Sequence, residues 1–125
     1  MNETNVFVYG TLKRGSSIRG LDRWGSGAEF VGPAVTIQNN YSLWNLGAFP
    51  AVSSGKSHIA GEVWSVDKET LADLDRIEGH PDFYKRMEVS TTKGKAWMYY
   101  IPDIDSYHAE LIEPNEKSIA SWRNE

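Results

Sequence analysis

Glu78 is the first residue with the chemistry of a catalyst, and it ends a predicted helix over Lys68 to Glu78. Because successive helical residues turn by about 100°, Glu78 falls between Leu71 and Leu74 on the apolar face of that helix. A carboxyl group turned toward a core loses hydration, and the negative end of the helix dipole lies beside it, so we expect a raised pKa. Such a group can accept a proton and then return it near neutral pH.

The periodicity leaves a second interpretation of Glu78 open. Helix ends are uncertain by a residue or two, and residues of the last turn often leave the apolar face. In that case the Glu78 carboxylate is solvated, or forms an ion pair with Lys85 or Arg86.

The second candidate is the turn after the first predicted strand, Val6 to Tyr9. The strand ends in Gly10, and Thr11 and Leu12 follow. Backbone N–H groups beyond a strand end lack ladder partners, so they can form a nest for a carboxylate or an oxyanion. A buried strand followed by an ordinary turn would look the same in sequence.

Other kinds of catalytic site find little support. The chain has no cysteine, which excludes thiolate metal sites and cysteine nucleophiles, and no serine or threonine lies in a nucleophile elbow. The three histidines show no metal-ligand spacing: His58, His80 and His108. Gly10 and Gly15 have the spacing of a phosphate loop, but Ser16-Ser17 follow where Lys-Ser/Thr is required. We therefore expect no metal site and no phosphate loop.

Composition sets the broad class. A chain of 125 residues with 40% hydrophobic residues is expected to form one globular domain over residues 1–125. The net charge of −4 disfavours nucleic acid as a partner. There is no apolar run long enough for a membrane span and no secretory signal pattern. We expect a cytoplasmic protein without membrane or nucleic-acid partners; the oligomeric state is not readable.

The predicted elements are about six strands around one central helix. Asp67 is a typical N-cap, and Gly79 is a typical C-terminal stop for that helix. A short helix over Lys117 to Arg123 is also expected. The predicted strands are Val6–Tyr9, Ala28–Ile37, Tyr41–Trp44, Ile59–Val66, Tyr84–Thr91 and Lys95–Ile101. This pattern predicts an α+β fold: a small mixed, mainly antiparallel β-barrel with one central helix and short flanking helices.

Two motifs, in this order, resemble one family. The first is Tyr9-Gly10-Thr11-Leu12 with Lys13 and Gly15, and the second is Leu74-Asp75, Glu78-Gly79, Pro81, Tyr84 and Arg86. Phe49-Pro50-Ala51, Gly61-Glu62-Val63 and Ala96-Trp97 with Tyr99 also match in order. Over roughly Val6 to Ile101 the chain resembles the γ-glutamylcyclotransferase-like (AIG2-like) proteins, and its length is most similar to the small γ-glutamylamine cyclotransferase branch.

The resemblance implies a cofactor-independent enzyme of the lyase or acyltransferase type. Its substrate would be a small γ-glutamyl compound whose own α-amino group attacks its side-chain carbonyl, which yields 5-oxoproline and a free amine or amino acid. By motif, the catalytic glutamate maps onto Glu78. The substrate-binding positions map onto Tyr9, Gly10, Thr11, Leu12 and Tyr84.

Two other functions stay open on the same motifs. One is a non-catalytic module that binds a small metabolite or a protein, since site residues can persist after activity changes. The other is a related enzyme that acts on a larger γ-glutamyl conjugate. The loops Leu12 to Gly27 and His80 to Tyr84 are expected to decide the leaving amine.

Overall fold

The computed structural model describes residues 3–15, 20–21, 24 and 27–122. The helix is α1 (Lys68–Glu78). The strands are β1 (Thr4–Val8), β2 (Ala28–Val35), β3 (Tyr41–Asn45), β4 (Pro50–Ser54), β5 (His58–Val66), β6 (Lys85–Thr91), β7 (Gly94–Tyr100), β8 (Glu110–Leu111) and β9 (Ile119–Ala120). The expected loop residues that fall in 16–19, 22–23 and 25–26 lie outside the described residues.

The main sheet has the strand order β2-β5-β1-β7-β6, and β9 pairs with the start of β5. Neighbouring strands are antiparallel except β1 with β7 and β5 with β9, which are parallel. A second sheet has the order β4-β3-β8 and is antiparallel. The architecture is therefore α+β with mainly antiparallel sheets, as predicted.

The main sheet curls but does not close into the barrel that the sequence predicts. Its edge strands β2 and β6 meet at one end, through a bridge between Thr36 and Thr91. There the amide of Ile37 donates to the carbonyl of Ser90 at 2.9 Å, and that of Thr92 to Val35 at 3.0 Å. Strand β2 carries a bulge between Phe30 and Gly32, and bulges bend a strand and increase its twist.

Two buried clusters lie on opposite faces of the main sheet. Along β1 the side chains alternate: Val6 and Val8 join the cluster that contains Leu74 of α1, whereas Phe7 joins the cluster that contains Leu43 and Val52 of the small sheet. The main sheet is thus the middle layer, with α1 on one face and the small sheet on the other.

Helix α1 begins and ends where the sequence predicts. The Asp67 side chain accepts a hydrogen bond from the amide of Thr70 at 2.8 Å, which satisfies one exposed donor of the first turn. Gly79 ends the helix with φ 68°, a left-handed conformation that favours glycine. These caps set Glu78 as the last helical residue.

The C-terminal segment differs from expectation. The predicted helix over Lys117 to Arg123 is wrong for its described part, because Ile119 and Ala120 form β9 and pair with His58 and Ile59. Contacts so distant in sequence are invisible to local patterns. A short 3₁₀ helix covers Ile104–Ser106. Among the described residues, no helix is long and apolar enough to cross a membrane.

Candidate active site

A cavity of about 280 Å³ opens where β1 ends, between the C-terminus of α1 and the start of β4. Part of the lining is the end of β1 and the turn after it: Phe7, Val8, Tyr9, Gly10, Thr11 and Leu12. Another part comes from the segment that leads into β4 and from the end of α1: Ala48, Phe49, Pro50, Ile77 and Glu78. Phe83, Tyr84 and Tyr99 complete the lining. Five separate segments of the chain therefore converge on this cavity.

Glu78 is only 8% exposed although it has a carboxyl group and stands at a helix end. The interpretation in which Glu78 is solvated is therefore wrong. Arg86, one of its possible ion-pair partners, instead binds Asp75. The carboxyl group of Glu78 lies close enough to Tyr9 and Tyr99 to act on both hydroxyl groups electrostatically.

The turn after β1 is held by its own backbone and by a proline ring. The amide of Lys13 donates to the carbonyl of Gly10 at 3.1 Å. A Cβ atom at position 10 would lie 2.6 Å from Cγ of Pro50, so glycine is required where the ring packs. Within the described part of the chain, the amides of Thr11 and Leu12 donate to no backbone carbonyl. These two N–H groups are available to an anionic ligand in the cavity.

Two tyrosine hydroxyl groups fasten the cavity walls to each other. The hydroxyl of Tyr9 donates to the carbonyl of Tyr99 at 2.8 Å and accepts from the amide of Val52 at 3.2 Å. The hydroxyl of Tyr84 donates to the carbonyl of Pro50 at 2.6 Å. Burial raises the pKa of Tyr9 well above its ordinary value, and the nearby Tyr84 and Glu78 raise it further. Tyr9 therefore stays a neutral hydrogen-bonded wall at physiological pH.

Behind that wall, Asp75 binds two partners. Its carboxylate accepts hydrogen bonds from Nε and Nη2 of Arg86 at 2.8 and 3.1 Å and from the hydroxyl of Tyr99 at 2.6 Å. Burial raises the pKa of Asp75, but the hydrogen bonds from Arg86 and Tyr99 outweigh it, and the net pKa is lowered. Burial and the bond to Asp75 raise the pKa of Tyr99. Asp75 thus fixes the Tyr99 side of the cavity.

The structure brings all the predicted site residues together around one cavity: Tyr9, Gly10, Thr11, Leu12, Glu78 and Tyr84. Sequence reasoning missed the part that Phe83 and Ile77 have in the lining. A large apolar residue in the short loop after a helix stop is the signal that points to Phe83. Among the described residues, no group of three or more acidic or histidine side chains could hold a metal ion.

Comparison with known proteins gives consistent matches. The family model for gamma-glutamyl cyclotransferase, AIG2-like, matches residues 6–123. The gamma-glutamylcyclotransferase family protein YtfP of Escherichia coli K12 is 35% identical over 112 residues, which cover 89% of this chain and 93% of YtfP. The solution structure of YtfP from Escherichia coli has a TM-score of 0.65, covers 92% of this chain and 94% of its own, and is 34% identical.

A crystal structure of an AIG2-like protein from Mus musculus is similar over nearly the whole length. It covers 100% of this chain and 99% of its own, with a TM-score of 0.68 and 26% identity. The family match includes both motifs that form the cavity, the Tyr9 to Leu12 turn and the end of α1. The chain belongs to the gamma-glutamyl cyclotransferase, AIG2-like family.

Proposed function

We propose that this protein is a γ-glutamyl cyclotransferase that releases 5-oxoproline and a free amine from a small γ-glutamyl compound. One observation carries the proposal: the buried Glu78 and the Gly10 to Leu12 turn line the same cavity. A proton-transfer group thus lies within one small space with backbone donors for negative charge. At about 280 Å³ the cavity is near the lower end of ligand pockets, which are about 300–1,000 Å³.

The reaction needs no nucleophile from the protein. The substrate's α-amino nitrogen attacks its own side-chain carbonyl carbon, and a five-membered ring forms through a tetrahedral intermediate. Glu78 accepts the proton that this nitrogen loses and returns it to the leaving nitrogen as the original amide C–N bond breaks. No water is consumed and no electrons are exchanged, so atoms and charge balance without a co-reactant.

The turn and the walls have separate tasks in this proposal. The N–H groups of Thr11 and Leu12 bind the α-carboxylate of the substrate or the oxyanion of the intermediate; removal of one such donor typically costs about 3–4 kcal/mol of the barrier. The ring of Tyr84, held through Pro50, limits the space so that the substrate folds with its amine near its carbonyl. Holding reacting groups in contact is a large part of the rate enhancement in reactions of this kind.

Mass spectrometry on the purified protein tests the proposal. The protein is incubated with several γ-glutamyl amides and γ-glutamyl amino acids, and formation of 5-oxoproline is followed over time. We expect at least one substrate to give stoichiometric 5-oxoproline and amine. Substrates that bind by calorimetry but are never converted would contradict the proposal and indicate a non-catalytic binding module.

A further inference from the structure

The lining of the cavity contains two chemically different sets of residues. Glu78 and the turn amides are polar and are called the polar side here, and the apolar side chains of Ala48, Phe49, Ile77 and Phe83 are called the apolar side. Among the described residues that line the cavity, Glu78 is the only acidic or basic side chain. If the polar side binds the glutamyl part of the substrate, the apolar side receives the amine that leaves.

The apolar side continues as a row of aromatic rings toward the surface. The ring centroid of Phe83 lies 5.1 Å from that of Tyr84, in an edge-to-face contact. It lies 6.0 Å from the ring centroid of Phe49, in a tilted contact. On the outside, Tyr107 packs edge-to-face on Phe83 at 5.7 Å. Tyr84 is buried, whereas Tyr107 is 39% exposed, so the row leads from the interior to solvent. We call Phe49, Phe83, Tyr84 and Tyr107 the aromatic row.

The cavity opens beside this row. Ile77 lines the cavity and is nevertheless 43% exposed, and Ala48 is exposed as well. A leaving group longer than a few atoms can therefore extend outward along the aromatic row. Ring faces and edges make favourable contacts with apolar and aromatic groups, whereas a carboxylate loses hydration there without a partner.

We propose that the preferred substrates are γ-glutamyl amides of amines with an apolar, best an aromatic, substituent and without a carboxylate beside the scissile nitrogen. This inference rests on the proposed cyclotransferase function. The step is unchanged: the substrate's α-amino nitrogen replaces the leaving nitrogen at the carbonyl carbon, and one proton passes through Glu78. The aromatic row acts on specificity and not on the proton transfer.

Three substrates separate the contributions. γ-Glutamyl-phenethylamine and γ-glutamyl-phenylalanine differ only by the carboxylate beside the scissile nitrogen. γ-Glutamyl-methylamine lacks the aromatic substituent. We expect kcat/KM for γ-glutamyl-phenethylamine to exceed that for γ-glutamyl-methylamine by about 10- to 100-fold, since apolar contacts of this size discriminate by such factors. We expect it to exceed the value for γ-glutamyl-phenylalanine by about tenfold or more.

Phe83→Ala and Phe30→Ala form a matched pair of variants. Phe83 lies in the aromatic row, whereas Phe30 is a partly buried aromatic residue that packs on Trp64 and does not line the cavity. The phenethylamine-to-methylamine ratio of kcat/KM is compared within each protein, so the folded fraction cancels. We expect Phe83→Ala to lower this ratio by about tenfold and Phe30→Ala to keep the wild-type ratio.

The outcomes distinguish this inference from the proposed function. Conversion of all three substrates with no preference for γ-glutamyl-phenethylamine, or with preference for γ-glutamyl-phenylalanine, would overturn the inference and leave the cyclotransferase function standing. An unchanged ratio in Phe83→Ala would also overturn it. Absence of 5-oxoproline from every substrate would overturn the proposed function itself, and this inference with it.

Discussion

Two of the acidic residues of helix α1, Asp75 and Glu78, lie three residues apart in different surroundings. Asp75 faces β6 and β7, where Arg86 and Tyr99 bind both of its oxygens. Glu78 is one turn further on, is buried, and faces the cavity. The same helix thus bears one acid held by an ion pair and another that lines the space where a substrate would sit.

The different surroundings of Asp75 and Glu78 predict different roles, stability for Asp75 and catalysis for Glu78. A partly buried carboxylate with a bidentate guanidinium partner keeps its charge and fixes the elements that it joins. A buried carboxylate at a cavity wall can exchange its proton with a ligand, which Asp75 cannot do without losing Arg86. We therefore expect substitution of Glu78 to act on turnover and substitution of Asp75 to act on folding, and the variants below test that division.

Glu78→Gln has the largest expected effect. The amide is nearly the same size but cannot accept and return a proton, so we expect kcat to fall by about 10²–10⁴ while the fold persists. Turnover is followed as 5-oxoproline formation, and folding by circular dichroism. The control is Glu69→Gln, the same change at an exposed position in the first turn of the helix. A Glu78→Gln protein that keeps more than about a tenth of wild-type kcat would refute the proton-transfer role.

Gly10→Ala should have the next largest effect. The new Cβ would lie 2.6 Å from Cγ of Pro50, so either the turn or the Pro50 ring must move. We expect a loss of about 1–3 kcal/mol in the free energy of unfolding and a fall of about 10²-fold in kcat/KM, since displaced binding groups lose that much.

Pro50→Ala provides the test of cause for that variant. The substitution removes the ring carbons that a Cβ at position 10 would meet. The double variant Gly10→Ala, Pro50→Ala should therefore recover part of the stability that Gly10→Ala loses, measured by urea unfolding. A strictly additive double variant would show that the contact with the ring is not the cause.

Asp75→Asn should act mainly on stability. The change weakens three hydrogen bonds to Arg86 and Tyr99, and we expect a loss of about 2 kcal/mol in the free energy of unfolding. Asp73→Asn is the matched control, because Asp73 pairs with Arg76 at an exposed site, where such pairs contribute about 0–1 kcal/mol. An Asp75→Asn protein that folds normally but loses turnover as fully as Glu78→Gln would break the division between the two carboxylates.

The pH dependence of stability has the smallest expected effect. The net pKa of Asp75 is lower in the folded protein, so its contribution is complete above the ordinary aspartate pKa of about 3.9 and disappears as pH falls through the folded pKa. The wild type should therefore lose more stability than Asp75→Asn when the pH falls below about 4. Parallel urea titrations at a series of pH values measure this, and identical slopes for the two proteins would contradict it.

Local patterns predicted much of this molecule. The caps at Asp67 and Gly79 set the bounds of α1. Helical periodicity offered an interior position for Glu78 as one of two interpretations, and its low exposure agrees with that one. The parallel pairing of β1 with β7 and the short strand β9 depend on contacts between residues far apart in sequence, which no local pattern records. For Phe83 the sequence contains a local signal, a large apolar residue in the loop after α1. Its place in the cavity also depends on where that loop meets the segment before β4, which the signal does not record.

The intramolecular attack is the central claim, and isotope labels test it most directly. A γ-glutamyl amide that the protein converts, with a ¹⁵N-labelled α-amino group, is incubated with the protein in H₂¹⁸O. The masses of the products are measured by mass spectrometry. The proposed reaction predicts 5-oxoproline that contains ¹⁵N and no ¹⁸O, together with the free amine. Free glutamate with ¹⁸O in its side-chain carboxylate would contradict the account, because water and not the substrate's own amine would then be the nucleophile.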